Sequence, residues 1–421
     1  MKTEIDVPKH FYNIQSVLSV PPPTGDNLKL LPKIFPKGFL GQEMCQDKFV
    51  PIPEDVREIY RMYRPTPLVR AKRLEKFLEL PDDVKILYKR EDVTLSGSHK
   101  INTALMQAYL AKQEGFERIA TETGAGQWGT ALSIACKIFD LDCTVYMVKC
   151  SYDQKPYRKI LMRIFGSEIF PSPSKRTKFG RTMLREKPNT GGSLGISIGE
   201  ALEDTIGDDK TVYALGSVLN CVLMHQTVIG MEMKDQLKEL GENPDIMIGC
   251  VGGGSNFAGF MLPFVEDKMN RKNIDFIAVE PESCPTLTKA DYKYDYGDSA
   301  RLTPLLKMFS LGYDFIPPSI HAGGLRYHGM APIISSLVKN GLIRSKAYNQ
   351  LEIFKAGKLF SETECLVPAP ETCHAIKAAI DEAIQAKKDG KKKTIVFLYS
   401  GHGLLDLKGY EDFLDGKLKT S

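Results

Sequence analysis

Short apolar segments alternate with segments of helical character along most of this 421-residue chain. The apolar segments are too short for buried helices and suit strands that are covered on both faces. This alternation predicts an α/β fold of two three-layer domains, with mostly parallel sheets and an active-site cleft between them. The predicted strands are 85–89, 118–122, 143–148, 211–215, 245–251, 276–279 and 394–398, and helices are predicted at 100–114, 127–139, 154–166 and 256–265.

The alternation falls into two runs, over residues 100–220 and 221–421, which predict two domains. Residues 1–65 are rich in proline and show little apolar periodicity, so we expect an ordered but irregular N-terminal extension there. Ligands of open α/β sheets bind beyond the carboxyl ends of the strands. The glycine-rich motifs of this chain fall at such ends.

The overall composition argues against several classes of protein. A net charge of +4 is spread along the chain, whereas nucleic-acid binding proteins usually concentrate their basic residues. We find no apolar run of membrane-spanning length and no signal-peptide core, so we expect a cytoplasmic protein. The nine cysteines include no C-x-x-C pair, which predicts reduced thiols rather than a zinc ribbon or a redox pair.

Lys100 lies in the segment Ser96-Gly-Ser-His-Lys-Ile-Asn-Thr103, where a predicted strand and loop give way to a predicted helix. An amine in this position is restrained and partly desolvated, which suits covalent capture of a carbonyl group. A single lysine among 56 basic residues is more often a solvated surface group. The interpretation therefore needs support from other segments.

Three consecutive glycines, Gly252, Gly253 and Gly254, stand between a predicted strand and a predicted helix, and Ser255 and Asn256 follow them. Glycines let the backbone approach a ligand closely, and the N–H groups at a helix start attract an anion. A flexible turn with a capping residue is the alternative, but one turn rarely needs three glycines. We therefore predict a phosphate cradle, since the P-loop and dinucleotide patterns are both incomplete here.

The segment Glu122-Thr-Gly-Ala-Gly-Gln-Trp-Gly129 allows two interpretations. Its glycines match G-x-G-x-x-G between a strand and a helix, which is typical of a nucleotide-dependent reductase. Alternatively, residues 123–127 clamp a substrate carboxylate at the helix start, and Glu122 acts as an acid/base group. The second interpretation is favoured because Glu122 would repel a pyrophosphate and because a reductase gives Lys100 no role.

A serine follows the last predicted strand, in Ser400-Gly-His-Gly403. Its hydroxyl could pair with a ring nitrogen, or it could simply cap the turn. The seven histidines lack the spacing of metal ligands, and no G-x-S-x-G motif occurs. We therefore expect no catalytic metal and no serine hydrolase.

Together these segments resemble the tryptophan synthase β chain family, whose members use pyridoxal phosphate on the fold called type II. The string Glu122-Thr-Gly-Ala-Gly-Gln127 is the most particular to that family. The long N-terminal extension, and Gln-Trp where most β chains have Gln-His, resemble the longer, divergent group found widely in archaea. The matching motifs span nearly the whole chain and comprise residues 64–68, 97–102, 122–127, 252–256, 364–374 and 400–401.

The resemblance implies a lyase that makes L-tryptophan from indole and L-serine, in the last step of tryptophan biosynthesis. Lys100 would bind the cofactor covalently and carry the α-proton, while Glu122 would assist the leaving group. Ser400 would meet the pyridine nitrogen. The other implied cofactor contacts are His99, Asn102, Gly252, Gly253, Gly254, Ser255, Asn256 and Glu364, and the implied substrate contacts are Thr123, Gly124, Ala125, Gln127 and Trp128.

The resemblance also implies an assembly and a division of the chain. It implies a homodimer and allows an α subunit and a monovalent cation. The N-terminal domain would comprise 1–65 and 100–220, with a mobile subdomain at about 115–209. The C-terminal domain, which binds the cofactor phosphate, would comprise 66–99 and 221–421.

Some segments depart from the usual family pattern, namely Trp128, residues 191–197 and residues 311–328. Asp314, in the last of these, is a candidate for domain closure. Arg326 or His328 could meet a phosphorylated leaving group, so O-phosphoserine is an alternative donor. Another β-replacing enzyme of the same fold, similar to cysteine synthase or threonine synthase, is the second alternative.

Overall fold

The computed structural model describes residues 6–270 and 273–420. Within this part, the chain forms fourteen strands that account for four sheets. The strands are β1 His10–Tyr12, β2 Phe49–Pro51, β3 Leu68–Arg70, β4 Val84–Arg90, β5 Arg118–Thr123, β6 Asp142–Val148, β7 Glu168–Ser172, β8 Thr211–Ala214, β9 Ile246–Cys250, β10 Asp275–Pro281, β11 Asp291–Tyr296, β12 Leu305–Ser310, β13 Ile343–Tyr348 and β14 Lys393–Tyr399.

Helices separate most of the strands in the described residues. The helices are α1 Leu31–Ile34, α2 Lys37–Glu43, α3 Glu54–Tyr60, α4 Lys72–Phe77, α5 Ile101–Gln113, α6 Gln127–Ile138, α7 Lys149–Gln154, α8 Pro156–Ile164, α9 Lys178–Glu186, α10 Leu194–Ile206, α11 Asn220–Gln226, α12 Val228–Leu240, α13 Ser255–Met261, α14 Val265–Met269, α15 Pro332–Lys339, α16 Gln350–Glu364, α17 Pro370–Lys388 and α18 Leu407–Leu414.

Two sheets organise the molecule. The smaller has four parallel strands in the order β7-β6-β5-β8, and the larger has six in the order β13-β10-β9-β14-β4-β3. Only the β3–β4 pairing of the larger sheet is antiparallel. The predicted α/β fold with mostly parallel sheets is confirmed, whereas the domain boundaries stay a prediction.

All seven predicted strands are present, most of them longer by one or more residues at an end. The helix predicted at 154–166 begins only at Pro156, because a proline disfavours helical backbone at the residue before it. Lys155 accordingly lies outside the helical region, and α7 ends at Gln154. Strand β7 was not predicted because it contains Pro171, which is tolerated on an edge strand.

The N-terminal extension is less irregular than expected. It forms the antiparallel pair β1–β2 and three short helices, α1 to α3. Phe11, Ile34 and Phe39 are buried against the body of the protein. The apolar residues of this proline-rich segment therefore belong to the main core.

Four charged side chains with no exposed surface lie between β4, α12 and the segment that precedes β3. The Arg64 guanidinium lies 2.9 Å from the carboxylates of both Glu91 and Glu232, and Lys89 Nζ lies 2.8 Å from Glu232. Asn102 donates a hydrogen bond of 3.0 Å to Glu91, which links the cluster to the start of α5. Two positive and two negative charges cancel, which makes their burial tolerable.

Replacing Glu232 with Gln leaves two buried cations opposite one anion. We expect the free energy of unfolding to fall by about 3–5 kcal/mol, because breaking a buried ion pair uncovers an uncompensated charge. Urea denaturation measures it, with the exposed Asp235→Asn variant on the same helix as control. A loss below about 1 kcal/mol for E232Q, the size expected of a surface pair, contradicts this account.

Candidate active site

One large cavity lies where strands of both parallel sheets end. The loops after β5, β8, β9 and β14 and the start of α5 form its wall, as expected for ligand sites of open α/β sheets. The cavity brings together every predicted site residue except Asn102 and Glu364. Its wall includes His99, Lys100, Glu122, Thr123, Gly124, Ala125, Gln127, Trp128, Gly252, Gly253, Gly254, Ser255, Asn256 and Ser400.

Lys100 directly precedes α5. The residue before it is hydrogen-bonded to the chain just beyond β14, a central strand of the larger sheet. The N–H of His99 donates a hydrogen bond of 3.0 Å to the carbonyl of Ser400, just beyond β14. Burial lowers the pKa of Lys100, while the nearby carboxylates of Glu371 and Glu122 oppose that shift. More of the amine is therefore uncharged than in water, which makes Lys100 a better nucleophile and base.

The glycines after β9 have no room for side chains. A Cβ atom on Gly252 would lie 2.5 Å from the carbonyl oxygen of Gly324, and one on Gly253 would collide with Ser217. Gly254 has φ +98°, a left-handed conformation that favours glycine, and α13 begins directly after it. The backbone N–H groups of this turn are thus presented at the cavity without any side chain over them.

Two buried polar atoms beside this turn have no hydrogen-bond partner within the described residues. They are Nε2 of His99 and Oγ of Ser217. His99 Nδ1 lies 3.2 Å from the carbonyl of Ser400, which can only accept, so Nδ1 carries the proton of the neutral ring. Burial and the neighbouring Lys100 lower the pKa of His99, so the neutral ring leaves Nε2 able to accept a hydrogen bond, while Oγ of Ser217 can donate or accept one. A phosphate group that carries one proton can pair with both atoms.

The carboxyl group of Glu122 is buried in the cavity wall, and this burial changes its pKa. Burial raises the pKa of its carboxyl group to about 7, although a hydrogen bond from the hydroxyl of Tyr213 lowers it. Burial also raises the pKa of Tyr213, so this tyrosine remains a hydrogen-bond donor at neutral pH. A carboxyl group with a pKa near 7 can both donate and accept a proton at neutral pH.

Residues 123–127 turn sharply into α6. Gly126 has φ +91° at the helix start, and the hydroxyl of Thr123 accepts a hydrogen bond of 3.1 Å from the N–H of Gly129. The side chain of Gln127 donates to Glu371 over 3.1 Å. The first N–H groups of α6 thus face a cavity that can take a substrate carboxylate.

Trp128, the departure from the usual family pattern, forms part of the wall of the cavity. Its indole Nε1 donates a hydrogen bond of 2.7 Å to the hydroxyl of Thr121. A Cβ on Gly216 would lie 2.8 Å from the Trp128 ring, so the ring packs directly on the loop after β8. Trp128 therefore joins the ends of β5 and β8.

Ser400 presents its hydroxyl at the cavity floor. This hydroxyl lies 3.0 Å from that of Thr372 and 3.6 Å from the sulfur of Cys250. Neither the Thr372 hydroxyl nor the Cys250 sulfur is a charged hydrogen-bond partner. The Ser400 hydroxyl can therefore still donate a hydrogen bond to a neutral ring nitrogen or accept one from a protonated ring nitrogen.

Two predicted cofactor residues lie elsewhere. Glu364 accepts hydrogen bonds from the backbone N–H groups of Arg73 and Leu74, at 3.0 and 2.9 Å, and thereby caps α4. Glu364 is not part of the cavity wall, and its position near the cofactor ring stays a prediction. Asn102 belongs to the buried charge cluster described above, one layer behind the cavity.

Three of the cavity residues that were not predicted have polar groups that matter for the chemistry. Glu371 lies in the cavity wall, accepts hydrogen bonds from Gln127 and from the N–H of Gly324, and belongs to the same matching segment 364–374 as Glu364. Ser217 follows strand β8 within a Gly-Ser pair, which is a signal of the same kind as the other strand-end glycines. Tyr213 carries no sequence signal, because an aromatic residue in a buried strand is usually core.

The three residues singled out in segment 311–328 do not line the cavity. The guanidinium of Arg326 donates to the carbonyls of Pro317 and Pro318, both at 2.7 Å. His328 Nε2 lies 2.9 Å from the carbonyl of Tyr296. Arg326 and His328 thus form hydrogen bonds with nearby backbone carbonyls. Asp314 also lies outside the cavity wall.

Neither metal clusters nor membrane spans emerge from the described residues. No group of three or more His, Cys, Asp or Glu side chains there is arranged to hold a metal ion. No helix in the same residues is long and apolar enough to cross a membrane.

Solved structures share this fold at low sequence identity. An L-serine ammonia-lyase from Rhizomucor miehei superimposes with a TM-score of 0.63 at 17% identity, covering 84% of this chain and 98% of that chain. A serine racemase from Dictyostelium discoideum gives a TM-score of 0.58 at 18% identity, covering 83% and 97% of the two chains. These likenesses concern the fold alone.

Sequence comparisons are more specific. The family model described as "Pyridoxal-phosphate dependent enzyme" matches residues 59–401. The chain is 56% identical to tryptophan synthase beta chain 2 of Methanothermobacter thermautotrophicus, over 99% of this chain and 98% of the relative. It is 55% identical to beta chain 2 of Thermotoga maritima, over 96% and 97%. The chain therefore belongs to the pyridoxal-phosphate-dependent enzymes and, among them, to the tryptophan synthase β chain family.

Proposed function

We propose that this protein joins indole to the side-chain carbon of L-serine and releases L-tryptophan and water, with pyridoxal phosphate as cofactor. One observation supports it above all: the amine of Lys100 and the carboxyl group of Glu122 face one buried cavity, which also has an anion cradle and a carboxylate-binding turn. A nucleotide-dependent reductase has no use for this combination of groups, so we do not favour the reductase alternative.

The residues present fit pyridoxal phosphate. The glycine turn 252–254 and the unpartnered atoms of His99 and Ser217 suit its phosphate, and the hydroxyl of Ser400 suits its ring nitrogen. When bound, this cofactor withdraws electrons from the α-carbon of an amino acid, which allows the β-substituent to leave.

Lys100 holds the cofactor and moves the α-proton. Its lowered pKa increases the uncharged fraction of the amine, which is the form that both tasks require. Residues 123–127 bind the serine carboxylate and so orient the side-chain hydroxyl toward Glu122. Because the pKa of Glu122 is about 7, a substantial fraction of it is protonated at neutral pH and can protonate the departing hydroxyl. The ionised form then accepts a hydrogen bond from the indole N–H.

The other half of the cavity suits the second substrate. Side chains of the N-terminal extension and of α10 make it apolar, which favours a flat aromatic molecule. This half is lined by Leu31, Ile34, Phe35, Leu40, Leu194, Ile198 and Leu202. An enzyme that uses sulfide or water as nucleophile, as the cysteine or threonine synthase alternative requires, has no need of such a surface.

We further propose a homodimer located in the cytoplasm. The two parallel sheets of one chain each supply part of the cavity. A single protomer therefore contains every residue that the described chemistry uses. An α subunit, a monovalent cation and a mobile subdomain at about 115–209 stay predictions.

Lys100→Ala removes the amine that holds the cofactor. We expect the visible absorbance of the protein with pyridoxal phosphate to disappear and turnover to fall by about a thousandfold or more. Absorption spectra and steady-state kinetics measure both, and Lys112→Ala on the exposed side of the same helix is the matched control. A K100A protein that keeps the wild-type absorption band rejects the role of Lys100.

Tyr213→Phe removes the hydrogen bond that lowers the pKa of Glu122. The pKa of Glu122 then rises, so its protonated form persists to higher pH and the alkaline limb of the kcat profile moves upward. The control is Tyr327→Phe, a cavity tyrosine whose hydroxyl donates to the carbonyl of Gly297 instead. An alkaline limb that stays in place or moves downward in Y213F contradicts Glu122 as the acid.

We propose serine, rather than O-phosphoserine, as the donor. Arg326 and His328 are engaged with backbone carbonyls outside the cavity, so neither meets a second phosphate there. We expect kcat/KM for serine to exceed that for O-phosphoserine by about tenfold or more, since an unpaired phosphate is costly to bury. Steady-state kinetics with both donors decide the question, and a clear preference for O-phosphoserine refutes the choice of serine.

A further inference from the structure

A buried cluster of charges outside the cavity joins the two sheet systems. Asp406, just before α18, faces Lys155 and Arg158 of the α7–α8 segment, which follows β6 of the smaller sheet. The Arg158 guanidinium lies 3.0 Å from Asp406, and the three side chains are at most 4% exposed. Burial alone would raise the pKa of Asp406, but the two cations lower it to about 2, so Asp406 is ionised at neutral pH.

The aliphatic part of Arg158 lies against the predicted carboxylate clamp. A Cβ on Gly126 would lie 2.9 Å from Cβ and 3.2 Å from Cγ of Arg158. Gly126 is also the residue with positive φ from which α6 starts. The Cβ and Cγ atoms of Arg158 are therefore packed against the turn that carries the clamp.

Asp406 is connected to the cofactor side of the cavity as well. Its N–H donates a hydrogen bond of 2.8 Å to the carbonyl of Gly403, three residues beyond Ser400. Within the same turn, the N–H of His402 donates to the carbonyl of Gly97, in the segment that leads to Lys100. These backbone hydrogen bonds thus connect Asp406 with the turn that follows Ser400 and, through Gly97, with the segment that precedes Lys100.

We propose that Asp406 is a positioning residue: by anchoring Arg158 it supports Gly126 and holds residues 123–127 in register with the cofactor side of the cavity. The inference rests on the proposed function, since it takes residues 123–127 as the site of the serine carboxylate. Lys155 pairs with the same carboxylate, but its Nζ also reaches the carbonyl of His321 rather than the turn at Gly126.

Arg158→Ala and Arg158→Met test the anchor, and Lys155→Met is the control within the cluster. Each variant leaves one cation opposite Asp406, so none buries an unpaired carboxylate. We expect KM for serine to rise about tenfold or more in R158A and less in R158M, which keeps the side-chain volume, with kcat changed by less than about twofold. K155M should keep KM within about twofold of the wild type. The absorption band of the bound cofactor should stay unchanged in all three.

Hydrogen exchange of the amides at 124–130 provides a readout without turnover. We expect faster exchange in both Arg158 variants than in the wild type and K155M; R158M serves if R158A does not fold. The proposal is overturned if R158M keeps the wild-type KM for serine and the wild-type exchange rates. It is also overturned if K155M is impaired as much as the Arg158 variants. Because exchange needs no substrate, an inactive wild-type protein would reject the proposed function and still leave this comparison readable.

Discussion

The carboxyl ends of parallel strands lie at one edge of a sheet, and this geometry determines where the cavity forms. Two such edges face each other here and enclose one cavity. Segments far apart in sequence, from His99 to Ser400, meet there because each follows a strand or begins a helix. The chemistry is thus assembled from short loops on rigid elements, which is how a site keeps its geometry.

Desolvation acts in opposite directions on the two reactive groups. It lowers the pKa of Lys100 and raises that of Glu122 to about 7, since burial disfavours both a cation and an anion. Burial in one cavity therefore increases the uncharged fraction of the amine and gives a carboxyl group that can exchange protons near neutral pH.

The sequence predicts the strands and most of the cavity well, because buried parallel strands are apolar and strand-end glycines are conspicuous. It fails where the deciding fact is three-dimensional. Glu364 and Glu371 lie seven residues apart in one matching segment, and only the packing of α4 shows that the first is a helix cap. Tyr213 and Arg158 have ordinary neighbours in sequence, and their contacts with Glu122 and Gly126 arise only in the folded chain.

In the proposed reaction, this cavity directs a carbon nucleophile, rather than water, to the serine-derived group. Product analysis distinguishes the two nucleophiles: the purified protein is incubated with pyridoxal phosphate, L-serine and indole, and tryptophan, pyruvate and ammonia are quantified. We expect L-tryptophan in near-equal amount to the serine consumed, with little pyruvate. Serine converted to pyruvate and ammonia without tryptophan, or no consumption of serine at all, would contradict it.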